Sequence, residues 1–146
     1  MEKHEFEQFL YDNIPITEKM GFTIVEFSKD KVKVAAKLEP NINHKHTAFG
    51  GSINSLMTVC GWVMVFVNIE EMDPEAHIVI RKSNIEYLAP IDCDFIAECE
   101  ILLEEDRNKF FEMYKKHKKG RITLKVTCHK DTKLLAEYEG QYVAFK

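Results

Sequence analysis

From Gly51 to Ile69 (GSINSLMTVCGWVMVFVNI) the chain runs for about five helical turns without one Asp, Glu, Lys or Arg. A helix that is apolar nearly all round has no broad face to give to water, so protein must surround it. Asn54, Ser55, Thr58 and Asn68 interrupt the stretch, and no uninterrupted apolar segment reaches the ~20 residues a bilayer requires. The segment therefore predicts one long buried helix from about Gly51 to near Glu70, and no membrane partner.

The flanks supply a surround. KHEFEQFLY at 3–11 reads as a short amphipathic helix with Phe6, Phe9 and Leu10 on one face, and Pro15 ends the region. FTIVEF, an SKD turn and KVKVAAKLEP predict a hairpin in which Val32, Val34, Ala36 and Leu38 alternate with lysines, up to Pro40. After the acidic break EEMDPEA come HIVIRKSNIEYLAP, running to Pro90, and CDFIAECEILLE (93–104), with Phe95, Ala97, Cys99 and Ile101 toward one side. EEDRNKFFEMYKKHKKG interrupts with Phe110, Phe111 and Tyr114 at helical spacing. RITLKVTCH then turns Ile122, Leu124, Val126 and Cys128 inward, and LLAEYEGQYVAFK closes the set. Strands joined by short turns pair antiparallel, and a sheet with one face to cover wraps around the single buried helix. The expectation is one α+β domain over 1–146.

Composition narrows the partners. With 45% apolar and 30% charged residues and a net charge of −4, this is a globular chain and a poor match for nucleic acid. KKHKKGR at 115–121 is locally basic; a solvated helix end or loop and an anion site both fit it. Cys60, Cys93, Cys99 and Cys128 form no CxxC pair and no metal-ligand spacing. No signal peptide opens the acidic N-terminus, so reduced thiols in the cytoplasm are expected, with Cys60 a small buried hydrophobe.

At the mouth of the helix stands NINHKHTAFGGSINSLMTVCGW, residues 41–62. The element order, the FGGS that opens the helix and the SNIEYLAP after it resemble the hotdog-fold thioesterases, over roughly residues 15–145. The segment is most similar to thioesterase-like domains found C-terminal to acetyltransferase-like domains, whose NIN…H-T-x-F-[AG]-G-S…GW pattern is met by Asn41, Asn43, His46, Thr47, Phe49, Gly50, Gly51, Ser52, Gly61 and Trp62. The resemblance implies an antiparallel sheet wrapped around the helix and an acyl-CoA or acyl-carrier thioester as substrate. It also implies no cofactor or metal, and a homodimer or dimer of dimers in which residues 77–88 pair with their own copy and active sites lie between subunits. Matching the Gly pair to better-understood relatives sets Asn43 on their Asn, Phe49 on their His and Thr58 on their catalytic acid.

Thioester hydrolysis needs a polarised carbonyl, a positioned water and an acyl slot. The unpaired N–H groups at the helix start, approachable beside Gly50 and Gly51, can stabilise an oxyanion; alternatively the glycines only permit a tight turn. Asn43 can orient water or carbonyl, or hold the loop by an Asx-type bond. His46 is the general-base candidate, because a histidine side chain can take up and release a proton at physiological pH, with a loop-stabilising role as the other reading. Thr58 faces the site or bonds the preceding turn. Ser52 reads as the N-terminal cap, and Asn54 and Ser55 face the loop or a partner subunit. Phe49, Ser52, Asn54 and Trp62 are the substrate-binding candidates, while Met57, Cys60, Met64 and Phe66, with Trp62, are pocket wall or core. Glu86 points into the cleft or to solvent. The functional expectation is an acyl-CoA thioesterase; the alternative is an acyl-thioester binding module without the acid. A hydratase on the same fold needs a carboxylate that residues 51–69 do not contain.

Overall fold

The computed structural model describes residues 1–101 and 103–146; residue 102, in the run 93–104 read as strand, lies outside the described residues. Helix α1 (Lys3–Asn13) and a short α2 (Ile16–Lys19) precede the hairpin β1 (Phe22–Phe27) and β2 (Lys31–Ala36). The long helix α3 spans Gly50–Ile69, followed by β3 (His77–Tyr87), β4 (Phe95–Glu100), α4 (Glu104–His117), β5 (Lys119–Lys130) and β6 (Lys133–Phe145). The six strands form one antiparallel sheet in the order β1-β2-β4-β5-β6-β3. The sheet wraps α3 in the hotdog arrangement.

The core is built from the two periodicities that the sequence carries. Leu56, Met57, Cys60, Val63 and Met64 of α3 are wholly shielded, as are Val32 and Val34 of β2, Ala97 and Cys99 of β4, and Val126 and Cys128 of β5. Burying each larger side chain contributes about 1.5–3 kcal/mol, and this packing decides the helix, because glycines at both of its first positions oppose it. Helix α1 adds an aromatic seam: the Phe6 ring lies 5.1 Å from that of Phe27 and 5.2 Å from that of Phe66. At the far end, Arg107 of α4 reaches Asp30 at 2.7 Å and the backbone of Lys29, and Tyr114 donates to Asp73 at 2.5 Å.

Four expectations change. The second strand ends at Ala36 rather than at Pro40, because Glu39–Asn41 coils into a 3-10 turn with Pro40 inside it. A four-residue helix follows Pro15 instead of a plain break. Strand β3 stops at Tyr87, ahead of Pro90. The fourth change concerns α3 itself. Thirteen of its 20 residues are buried, yet Gly51, Asn54, Ser55, Thr58 and Trp62, which share one face by their 3-4 spacing, keep some exposure. Small side chains form the first half of that stripe, and within this chain it stays open; α1 covers only the Phe66 end.

Strand β3 contains a bulge. Ile80 pairs with Tyr142 and Lys82 with Gln141, so Arg81 is an extra residue against consecutive partners. The facing of the strand changes there: Ile78 and Ile80 share the helix side with Ile85 and Tyr87, across the extra residue.

Candidate active site

Helix α3 begins without a side-chain cap. Its N-cap is Phe49, in extended conformation and with no side-chain hydrogen bond to the first turn. Ser52 is buried in that first turn, with its own N–H donated back to the Phe49 carbonyl at 2.9 Å, so the expected serine cap is a helix-interior serine. The amides of Gly50 and Gly51 have no acceptor within the helix, as helix geometry requires. No acidic residue stands in the first turn to compensate them. These two N–H groups carry the positive end of a 20-residue helix dipole.

Their surroundings are apolar and open. Phe49 is 57% exposed and Tyr87 50% exposed, and Ile42 and Leu88 are exposed as well. The Tyr87 hydroxyl donates to the Gly50 carbonyl at 2.9 Å, fixing the end of β3 to the first residue of the helix. A Cβ on Gly51 would stand 2.5 Å from the Phe49 ring, so the missing side chain is what lets that ring fold over the turn. Gly50 is not crowded in this way, its nearest neighbours being Tyr87 atoms at 3.5 Å.

The loop before the helix is a hydrogen-bonded unit. Asn43 accepts at Oδ1 from Lys45 N–H (2.9 Å) and Thr47 N–H (3.2 Å), and its Nδ2 donates to Thr47 Oγ1 at 2.9 Å. Its amide is thus engaged on both sides in an Asx-type turn. The turn holds His46 at its tip, exposed and in the left-handed region at φ 62°. Asn41 anchors the loop from below: it is buried, and its Nδ2 donates to the carbonyls of Met20 and Lys37, both at 2.7 Å. Ala48 N–H bonds Ile91 and Phe49 N–H bonds Asn41, which delivers the chain to the helix start.

Phe49, Gly50 and Gly51 therefore come together, and Asn54, Ser55 and Thr58 continue from them along the open stripe. The hydroxyl that bonds the preceding turn belongs to Ser55, which donates to the Gly51 carbonyl at 2.8 Å. The Thr58 side chain sits about 10 Å along the axis from Gly51. Asn54 keeps a shielded Oδ1 with no partner among the described residues. Trp62 is a further turn away, about 16 Å from Gly51 by helix rise, and stacks on Phe66 at 5.4 Å. Glu86 is exposed beside Asn84, Lys125 and Glu137, away from the helix.

Deeper in, burial pushes the Cys60 thiol well above its ordinary range, which makes it a core group and a poor nucleophile. Burial also raises the Tyr142 hydroxyl, whose neutral form donates to the Thr58 carbonyl at 2.7 Å. Sequence reasoning placed Asn41 and Gly61 in the motif without their bonding partners, and it missed Tyr87 and Tyr142. For Tyr87 the only available signal was its place at the end of SNIEYLAP. No group of three or more His, Cys, Asp or Glu suited to a metal occurs among the described residues.

Comparison with known proteins gives this geometry its family. The family model described as "Putative thioesterase (yiiD_Cterm)" matches residues 3–146. A protein of unknown function from Chlorobaculum tepidum is 32% identical, with a TM-score of 0.92 over 99% of this chain and 94% of its own. A "putative thioesterase" from Shewanella oneidensis is 29% identical, with a TM-score of 0.83 over 99% of this chain and 97% of its own. A thioesterase from Haemophilus influenzae, at 13% identity and a TM-score of 0.78 over 100% of this chain and 92% of its own, shares the fold. The chain belongs to the yiiD C-terminal family of putative thioesterases.

Proposed function

We propose that the protein hydrolyses an acyl thioester, carried on coenzyme A or a carrier protein in the cytoplasm, at the N-terminus of α3. The observation that carries this reading is the pair of uncapped amides at Gly50 and Gly51, set among exposed apolar side chains with no carboxylate in the first turn. The thioester carbonyl docks on these amides. Water adds to the carbonyl carbon, and the charge that develops on oxygen meets the N–H groups and the helix dipole. Collapse of the tetrahedral intermediate breaks the C–S bond and releases a carboxylic acid, the thiol taking a proton that came from the water.

In this reading Asn43 positions the loop, because its amide is engaged in the turn. His46, exposed at the loop tip, is the base that accepts the proton from water. Thr58, about 10 Å along the helix from its own Gly51, orients that water for the site of a second copy, the active sites lying between subunits. Phe49, Ser52, Asn54 and Trp62 border the acyl path.

The active unit is a homodimer or a dimer of dimers. Strand β3 is an end strand with β6 as its one neighbour, and it exposes Val79 and Ile80. Such an edge is a liability until a second copy covers it. The same association shields the open stripe of α3 and supplies a partner for Asn54.

A second reading is kept by one observation: α3 contains no carboxylate to activate water. It is an acyl-thioester binding module on the same amides. Purified protein incubated with acyl-CoAs of several lengths decides between the two by thiol release. Turnover supports hydrolysis; saturable binding without thiol release supports the binding module.

A further inference from the structure

On the side of the sheet away from α3, three strands make a small grid. Lys119 pairs with Phe145 and Phe145 with His77; one step on, Arg121 pairs with Val143 and Val143 with Val79. Tyr142 faces the helix, where it bonds Thr58, so its neighbour Val143 and the rest of that row face outward. A groove of about 820 Å³ opens at this end of the sheet, bounded by the grid and, from the helix side, by Ile80 and by Met113 and His117 of α4.

Its side chains are of one sign. Arg81, Lys118, Lys119, Arg121 and Lys146 contribute basic side chains, and no Asp or Glu is among the lining residues, on a chain whose net charge is −4. Among the described residues Arg81, Lys118, Lys119 and Arg121 have no acidic partner within ion-pair distance. Arg81 is steadied by a neutral group, Gln141 Oε1, at 2.8 Å. Lys146 is partly shared, at 3.9 Å from Asp73 and 3.7 Å from Glu75. Lys118 caps α4 at φ 55°, a left-handed position that glycine usually fills. The chain holds a lysine there.

The floor between these cations is apolar and partly aromatic. The ring of Phe145 lies 5.3 Å from that of His77, beside Val143 and Val79. Lys119 and Arg121, two residues apart on one strand face, are separated by roughly 7 Å. A flat ring system bordered by paired cations is the recognition chemistry of a phosphorylated nucleoside: the base stacks on an aromatic side chain, and phosphate oxygens accept from Lys and Arg. We propose that this groove is a nucleotide-phosphate site taking an adenine nucleotide, with the phosphates on Lys119 and Arg121 and the base on Phe145. The ligand chemistry is common to a free nucleotide and to the nucleotide end of coenzyme A; only the second source rests on the thioesterase reading.

The test is titration calorimetry of the intact protein with adenosine 3′,5′-bisphosphate, coenzyme A and, as a control, inorganic phosphate. Both nucleotides are expected to bind saturably below millimolar concentration and to weaken between about 50 and 200 mM salt, as screening requires. Lys119→Ala and Arg121→Ala, both exposed and away from α3, are each expected to weaken binding by about tenfold or more, with circular dichroism unchanged. Failure of both nucleotides to bind, equal binding by both variants, or inorganic phosphate binding as tightly as the nucleotide overturns the proposal. Kinetics then separate the sources. A KM for acyl-CoA raised about tenfold or more in Arg121→Ala, with hydrolysis of an acyl-N-acetylcysteamine unaffected, identifies the coenzyme A end. An unchanged KM with nucleotide binding lost identifies a free nucleotide. If the parent hydrolyses neither thioester, the thioesterase reading fails, while the calorimetry still decides the groove.

Discussion

The phenolic oxygen of Tyr142 lies in the space that a Cβ on Gly61 would occupy, and from there it donates to the Thr58 carbonyl at 2.7 Å. Strand β6 and helix α3 approach this closely because position 61 has no side chain. Gly61→Ala is therefore expected to destabilise by about 1–3 kcal/mol through overpacking, and Tyr142→Phe by about 1 kcal/mol through the lost bond. In the double variant the phenol oxygen is gone while the ring carbons, 2.6 and 2.7 Å from that Cβ, remain, so the penalty of Gly61→Ala shrinks in part and the combined cost falls below the sum. Urea denaturation of the four proteins measures this coupling. Strict additivity would refute the contact.

At the helix start, Gly51→Val forces the Phe49 ring off the turn and misaligns the amides. One oxyanion donor is worth about 10²–10³ in rate, so acyl-CoA turnover should fall by at least that factor. Gly50→Ala meets only ordinary contacts at 3.5 Å, and its fold should survive. Turnover by Gly51→Val equal to the parent would move the chemistry elsewhere.

His46 sits at φ 62°, so two substitutions separate its ring from its backbone. His46→Gly suits the left-handed conformation, which costs other L-residues about 1–2 kcal/mol, and is expected to match or exceed the parent in stability. If the ring is the general base, both His46→Gly and His46→Ala lose about 10²–10⁴ in kcat. A loss below about threefold in both assigns His46 to the loop alone. Asn43→Ala removes three hydrogen bonds and should lower stability along with rate, whereas Thr58→Ala should lower rate alone.

The Tyr114–Asp73 bond predicts a pH signature. The hydrogen bond from Tyr114 is the main cause holding the Asp73 carboxyl below its usual range, while burial first, then Asp73, pushes the Tyr114 hydroxyl up to about 12. The depressed Asp73 gives stability that is present above about pH 4 and lost as pH falls through its folded value. The raised Tyr114 gives stability that is present below about pH 10 and lost as pH climbs toward 12. Tyr114→Phe should therefore differ most from the parent on a plateau between about pH 4 and 10, and the gap should narrow on both sides. Urea midpoints across the pH range test it; a gap that widens into acid would contradict the sign.

Sedimentation at micromolar concentration should return a multiple of the 17.1 kDa chain mass, through the free edge of β3. A monomer would contradict the assembly.

The elements that were legible from sequence are those whose packing follows period. The alternating run from Ile122 to Cys128 and the apolar helix lie where the pattern sets them, because burial enforces both. Position 107 shows the opposite: an arginine in the first turns of α4 gives no sign of being buried, and only its bonds to Lys29, Asp30 and Glu104 account for it. The site was half legible. FGGS marks the uncapped helix start, but Ser52 is a better capping residue than Phe49, and propensity chooses wrongly between them. Tyr87 lies 37 residues from Gly50 in the chain, a separation that no local pattern bridges.

The bulge in β3 has a consequence for length. Ile80 and Lys82 face consecutive residues of β6, so the ladder closes whether or not Arg81 is present. A one-residue deletion there would leave every cross-strand partner in place, including the alignment that delivers Tyr87 to Gly50. Arg81 is thus a spare residue as far as sheet geometry goes. What the chain gains from it is the guanidinium held by Gln141 above the groove.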